Sequence, residues 1–272
     1  MTKYSLSPVR LLHSLWQHRQ LIMDLAKRDA LGKYKGSKLG VLWSLLTPVF
    51  MLIIYTFVFS EIFQARWNSA SSSKTEFAII LFAGLILFNF FAENVTRAPT
   101  LILANVNFVK KIVFPLEILA CVTILSSLFH MMLSLLVLLF FQLLITGHVP
   151  MTIVFLPLVI FPLVLFSLGI AWLLSAIGVF LRDVGQTIGL FVTGLMFLSP
   201  IFFPLSAIPV RWQDVAKLNP LVFPIEQARN VQIWGIVPDW SAWTIYTMSS
   251  ALIAWLGFVC FQKTRRGFAD VL

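Results

Sequence analysis

The chain is predicted to be an all-α polytopic membrane protein of six transmembrane helices, and three observations predict it. From Ile118 to Leu181, 64 residues pass without one Asp, Glu, Lys or Arg. A soluble domain surfaces repeatedly over such a length and marks each surfacing with charge, whereas the bilayer centre penalises a charge by about 2.5 to 3.5 kcal/mol. Composition agrees, with 59% hydrophobic residues, 11% charged and 26 phenylalanines. The uncharged stretches also match the roughly 20 residues that a helix needs to cross about 30 Å of hydrocarbon.

Residues 1–38 read as a cytoplasmic N-terminal segment. Within it, residues 9–30 place Leu11, Leu12, Leu15, Trp16, Ile22, Met23 and Ala26 on one helical face, opposite His13, Gln17, Gln20, Asp24 and Lys27. That pattern predicts an amphipathic helix lying in the inner interface, although Arg19 interrupts the apolar face and Leu21 and Leu25 fall outside it. A soluble packing helix is the other reading.

The membrane domain, residues 39–262, begins with an uncharged run at 39–60, too long for a signal peptide and expected to stay in the protein. A second run, 77–92, has only 16 residues, so its flanking Glu76 and Glu93 snorkel or the helix continues to about Thr96. The 64-residue stretch holds two spans, about 118–146 and 151–181, joined by the turn-like cluster Gly147, His148 and Pro150. Residues 184–210 carry Pro200, Pro204 and Pro209, which predict one crossing to about Pro200 and then short helices near the outer face through about Pro238. Residues 240–262 form the last span, and 263–272 a cytoplasmic tail.

Lys and Arg set the orientation, because inner loops retain them. With both termini inside, the inner segments hold eight between Lys3 and Lys38, then Arg97, Lys110 and Lys111, then Arg182, then Lys263, Arg265 and Arg266. These are fifteen of the twenty basic residues. The net charge of +9 is thereby explained by orientation against an anionic leaflet, and no nucleic-acid partner is expected.

Several chemistries lack a signature. There is no Gly-x-x-x-x-Gly-Lys-[Ser/Thr] loop to cradle ATP phosphates, no Gly-x-Ser-x-Gly elbow and no His-Glu-x-x-His helix. Cys121 and Cys260 lie in apolar stretches without neighbouring ligands, so neither a disulfide nor a metal site is expected. The span interiors carry no carboxylate or basic group of the kind an ion-coupled carrier uses. His130, inside the third span, is either functional or a neutral imidazole bonded across the bundle. Phe82 and Phe88 in the second span, and Phe191 and Phe197 in the fifth, suit sugar rings or prenyl chains, or simply pack.

The stretch Arg28-Asp29, Lys33-Tyr34-Lys35-Gly36-Ser37, Leu39-Gly40, Leu42-Trp43, Leu46 and Pro48 resembles the first-span entry in permeases of type-2 ABC exporters for polysaccharides, which include O-antigen, capsule and teichoic-acid exporters. Asn105-Val106-Asn107-Phe108-Val109-Lys110-Lys111 with Phe114-Pro115-Leu116-Glu117 follows, then Arg182-Asp183, Ser199-Pro200-Ile201-Phe202-Phe203-Pro204, Asn219-Pro220 and the ending Phe268-Ala269-Asp270. Leu116 departs from the family, which is expected to carry a basic residue there.

The resemblance implies a homodimer of six-span subunits in the bacterial inner membrane, in contact with membrane lipids and working with two copies of a separate ATP-binding subunit. ATP and Mg would be bound by that partner, leaving no cofactor in this chain. It implies a coupling helix at about 99–111, with Asn105, Asn107, Phe108, Lys110 and Lys111 facing the ATPase. It implies outer gate helices at about 200–238, bearing Pro200, Pro204, Glu226 and Arg229, the last two spaced to pair on one helical face. The expected cargo is an undecaprenyl-diphosphate-linked glycan, entering past Arg28, Lys33, Tyr34, Lys35 and Lys38, residues that equally serve orientation. A drug or small-lipid exporter of the same superfamily and a membrane-embedded glycosyl or lipid transferase are the alternatives.

Overall fold

The computed structural model describes residues 7–62, 67, 74–109 and 114–272. The described residues form helices and turns, with no strand among them. Among the described residues five helices are long and apolar enough to cross a membrane: Gly40–Phe59, Glu76–Thr100, Ile118–Thr146, Met151–Phe180 and Trp240–Val271.

The predicted single N-terminal helix is two, α1 (Pro8–Gln17) and α2 (Arg19–Gly32). The break falls at His18, whose backbone leaves helical geometry at φ −97°, ψ 15° while its Nδ1 lies 2.8 Å from the Ser14 carbonyl. Ile22, Ala26 and Ala30 recur every four residues and bury one face of α2, which packs on the helix at Ile118–Thr146. Leu12, Trp16 and Met23, assigned to the same apolar face, are exposed. Arg19, the misfit of that face, lies over the Trp16 ring at 4.9 Å and donates to the Trp16 carbonyl.

In α3 (Trp43–Thr56) only the stripe Ser44, Pro48 and Leu52 is buried, and the chain then loosens into a π-helical turn at Phe57–Ile62. The short second run is in fact the interior of a 24-residue helix, α4 (Lys74–Arg97), at the centre of the bundle. In the region expected to couple to an ATPase, the α-helix among the described residues is the single turn α5 (Val106–Val109). Next come α6 (Ile118–Thr146) and α7 (Leu156–Phe180), joined by a turn in which Gly147 adopts φ 73°, a left-handed conformation that glycine takes without steric cost.

The expected fifth crossing, α8 (Val184–Leu198), has 15 residues and spans roughly 22 Å, less than the hydrocarbon thickness. Ser199 turns extended ahead of Pro200, because a residue before proline is disfavoured in the helical region. Short helices follow, α9 (Val210–Lys217) and α10 (Val222–Arg229). Then α11 (Trp240–Thr264) starts where the Asp239 carboxylate accepts from the Ser241 and Ala242 amides, and α12 (Phe268–Val271) closes the chain.

The most extensive helix packing among the described residues is α7 against α11, and glycines set its approach. A Cβ on Gly257 would lie 2.1 Å from the Gly169 carbonyl oxygen, and one on Gly169 would lie 2.7 Å from the Ala254 backbone. Without lipid-excluding force between apolar helices, such close backbone contact is what holds them together.

Candidate functional site

A charge cluster joins α2 to the bundle. Arg97, at the end of α4, donates from Nη2 to both oxygens of Asp29 on α2, at 2.8 and 3.0 Å. Its Nη1 reaches Glu93 Oε1 at 3.3 Å, and the same oxygen accepts from Lys33. Burial raises the Asp29 carboxyl, but Arg97, with smaller help from the Ser126 hydroxyl and the Lys33 charge, lowers it by more and holds the group below its ordinary value. This pair is one wall of a cavity of about 460 Å³ that Arg28, Thr100, Asn105 and Phe108 also line.

The five expected entrance residues therefore separate. Arg28 and Lys33 border the cavity, although the Lys33 charge is spent on Glu93. Tyr34 turns inward and sets its ring edge-on to His130 at 5.8 Å. Lys35 and Lys38 stay exposed.

The coupling region is a chain of short turns, Ala98–Thr100, Leu103–Asn105 and α5. The Asn105 amide donates to the Leu101 carbonyl at 2.8 Å, stiffening this run from within. Phe108 is half-buried and stacked on Phe114 with centroids 4.3 Å apart, whereas Asn107 and Ala104 face outward. Lys110 and Lys111 lie outside the described residues.

Just beyond, Glu117 organises three segments, a role that sequence reasoning missed. Its Oε2 accepts from Arg265 Nη1 at 2.6 Å, its Oε1 from the Ser14 hydroxyl at 3.3 Å, and its backbone carbonyl from the Trp172 indole at 2.9 Å. Arg265 also donates to the Phe114 carbonyl. The C-terminal tail is thus tied to the exit of the coupling region, and Phe268 in α12 is fully buried against Phe261 and Phe180. The signal in the sequence was the position of Glu117, a lone acid at the threshold of 64 uncharged residues.

At the other end, motifs far apart in sequence converge. The Asn219 side chain donates to the Ser199 hydroxyl at 2.9 Å and accepts from the Leu221 amide at 3.0 Å. Arg229 does not pair with Glu226 as the helical spacing suggested. Its guanidinium is 1% exposed and donates to three backbone carbonyls, Ile80 at 2.9 Å, Pro200, and Ile201 at 2.9 Å, with the Trp67 ring at 4.5 Å on its face. Carbonyls at a proline-broken helix end lack helical donors, so a fork of N–H groups satisfies them better than a carboxylate would satisfy the cation. Gly84 makes room, since a Cβ there would lie 2.5 Å from Arg229 Nη2. Pro204 lies half-buried at the head of the 3₁₀ turn Leu205–Ala207.

The four phenylalanines expected to suit sugar rings or prenyl chains do not share one surface. Phe82 and Phe88 are 4% and 3% exposed inside this chain's own core, while Phe191 and Phe197 are 59% and 62% exposed. The sequence gap between spans conceals this, because α4 is surrounded by α3, α6, α7, α8 and α10. Phe197 stacks on Phe202 at 5.9 Å, Phe202 on Phe59 at 6.2 Å, and Tyr55 links Phe59 to Phe82. That ladder runs from the exposed face of α8 to the core.

Sequence matches bear on what these features serve. The family described as ABC-2 type transporter matches residues 20–233. An O-antigen export system permease protein RfbA of Myxococcus xanthus is 25% identical over 268 residues, covering 96% of this chain and 99% of the relative. A protein of the same name from Klebsiella pneumoniae is 23% identical over 266 residues, covering 97% and 99%. The polysialic acid transport protein KpsM of Escherichia coli is 25% identical over 243 residues, covering 86% and 88%. The matched region contains the Asp29–Arg97 charge cluster, residues 98–109 and Arg229, and the chain belongs to the ABC-2 type transporter family.

Proposed function

We propose that this chain is the membrane-spanning permease subunit of an ATP-driven exporter that moves a lipid-linked polysaccharide, undecaprenyl-diphosphate-linked O-antigen in the first instance, across the bacterial inner membrane. The observation that carries this reading is end-to-end similarity, with 96% and 99% of the two chains covered, to a permease named for O-antigen export. Five membrane-length helices and the absence of an ATP-cradling loop support a transport subunit that relies on a separate ATPase.

In this reading two copies assemble with two ATP-binding subunits, and both termini are cytoplasmic. The ATPase presses on the outward-facing side of residues 98–109. Arg97 ends the helix that precedes this segment and grips Asp29, so a displacement there moves the interfacial helix and the centre of the bundle together. On the outer side, Arg229 binds α10 to α4 and to the Pro200 bend, so displacement of α4 is passed to the gate helices.

Deleting the gene in its host tests the function. Surface polysaccharide is expected to disappear while lipid-linked glycan accumulates at the inner membrane. An unchanged surface glycan, with a drug or lipid phenotype instead, would assign the chain to another branch of the family.

A further inference from the structure

A second cavity, of about 280 Å³, lies between α3, α4 and α6. Neither the packing nor the proposed coupling uses it. Between Phe77 and Phe91 every residue of α4 is buried except Asn89, an amide at the cavity's mouth. Asn89 has no hydrogen-bond partner among the described residues, and hydrocarbon offers it none.

The same cavity is lined by His130, whose two ring nitrogens are both buried without a partner. The ring is nevertheless held, edge-on to Tyr34 at 5.8 Å and to Phe129 at 5.5 Å. Glu93 also faces the cavity, and both its ion pairs use Oε1, which leaves Oε2 open. Tyr55 and Phe82 supply ring faces.

These groups specify a ligand. The amide, imidazole and carboxylate oxygen offer donors and acceptors together, as a hydroxyl group requires. Lys33 and Arg97 already neutralise Glu93, so no unpaired cation among the described residues faces the cavity, and a free carboxylate oxygen repels phosphate. The occupant is therefore neutral, rich in hydroxyls and apolar on one face.

We propose that this cleft is a hydroxyl-binding subsite that holds one sugar residue of the passing glycan, with Asn89, His130 and Glu93 bonding hydroxyls and Tyr55 facing the ring. The proposal rests on the polysaccharide-export reading. It places sugar contact on the flank of α4 and α6, apart from the diphosphate.

The test uses the full chain with its ATP-binding partner in glycan-producing cells, with the photoreactive residue p-azidophenylalanine replacing Asn89 or, as control, the exposed Leu136 of α6. Illumination should yield a glycan-bearing adduct from position 89 and not from 136, and the adduct should vanish when glycan synthesis is blocked. His130→Phe, which removes both ring nitrogens, and Asn89→Leu should each slow export roughly three- to tenfold, the loss of one or two hydrogen bonds, while His130→Gln restores most of it. An adduct only to a second copy of this chain would make the cleft a subunit contact and overturn the proposal. So would the absence of a glycan adduct while the unsubstituted chain still exports polysaccharide, a result that leaves the export reading standing. If the unsubstituted chain exports no polysaccharide, both fall. Should His130→Phe fail to accumulate, the adduct at position 89 decides.

Discussion

Replacing Arg229 with Met keeps the stem and removes the fork. The Pro200 and Ile201 carbonyls sit at a broken helix end, and both would be left buried without their donor. An orphaned buried carbonyl costs about 1 to 3 kcal/mol, so the change should destabilise the chain by roughly 2 to 6 kcal/mol, less whatever is recovered by no longer burying a charge. A loss of that size is a large fraction of the roughly 5 to 15 kcal/mol stability margin of a domain. A second substitution tests the same contact from α4. Gly84→Ala in a bare helix would stabilise by about 0.5 to 1 kcal/mol. Here the new Cβ meets Arg229 Nη2 at 2.5 Å, and although that is the tip of a long side chain, it is pinned by three hydrogen bonds. Gly84→Ala should therefore destabilise, and in the Arg229→Met background it should become neutral or favourable. Thermal unfolding of the four proteins in detergent gives the cycle. Strict additivity, or stabilisation by Gly84→Ala alone, would refute the staple.

The inner pair makes a pH prediction. Because the folded Asp29 carboxyl lies below its unfolded value, its contribution is present above about pH 4 and lost as pH falls through the folded value. Protection of α2 against hydrogen exchange, measured relative to the intrinsic rate at each pH, should fall on acidification below about pH 4, and Asp29→Asn should abolish that dependence. Glu117→Gln removes one partner of a pair only 9% and 12% exposed, and should cost about 3 kcal/mol or more and loosen the tail, seen as earlier proteolysis after Thr264. Asn107→Asp, on the outward face of the coupling region, should lower export while leaving thermal stability unchanged, whereas Phe108→Asp should lower both by breaking the stack on Phe114. Single cysteines at Trp43, Thr47, Phe50 and Ile54, exposed along one stripe of α3, should crosslink two copies, while one at the buried Leu52 should not.

How much of this was legible follows from what a bilayer imposes. Charge exclusion is one-dimensional along the chain, so the 118–146 helix and the Gly147 turn could be read to the residue, and Asp239 could have been read as the cap of the last span. Interior packing has no such trace. Phe82 and Phe191 carry the same apolar signal, yet one is enclosed by neighbouring helices and the other is open. Partner choice was equally hidden. Glu226 and Arg229 have the spacing of an ion pair, but the Pro200 bend presents free carbonyls to the guanidinium, and only the fold brings residue 200 to residue 229. Likewise, Asn219-Pro220 and Ser199-Pro200 were seen as separate motifs before the Asn219 amide was found on the Ser199 hydroxyl.

The central claim, ATP-driven movement of a lipid-linked polysaccharide by this chain, is tested most directly by reconstitution. The chain and its ATP-binding subunit are placed in inside-out vesicles loaded with lipid-linked glycan extracted from the producing cells, and glycan protected from an added glycosidase is measured. The account predicts protection that requires the chain, the ATPase and hydrolysable ATP together. Protection that develops without ATP, or none with all three present, would contradict it.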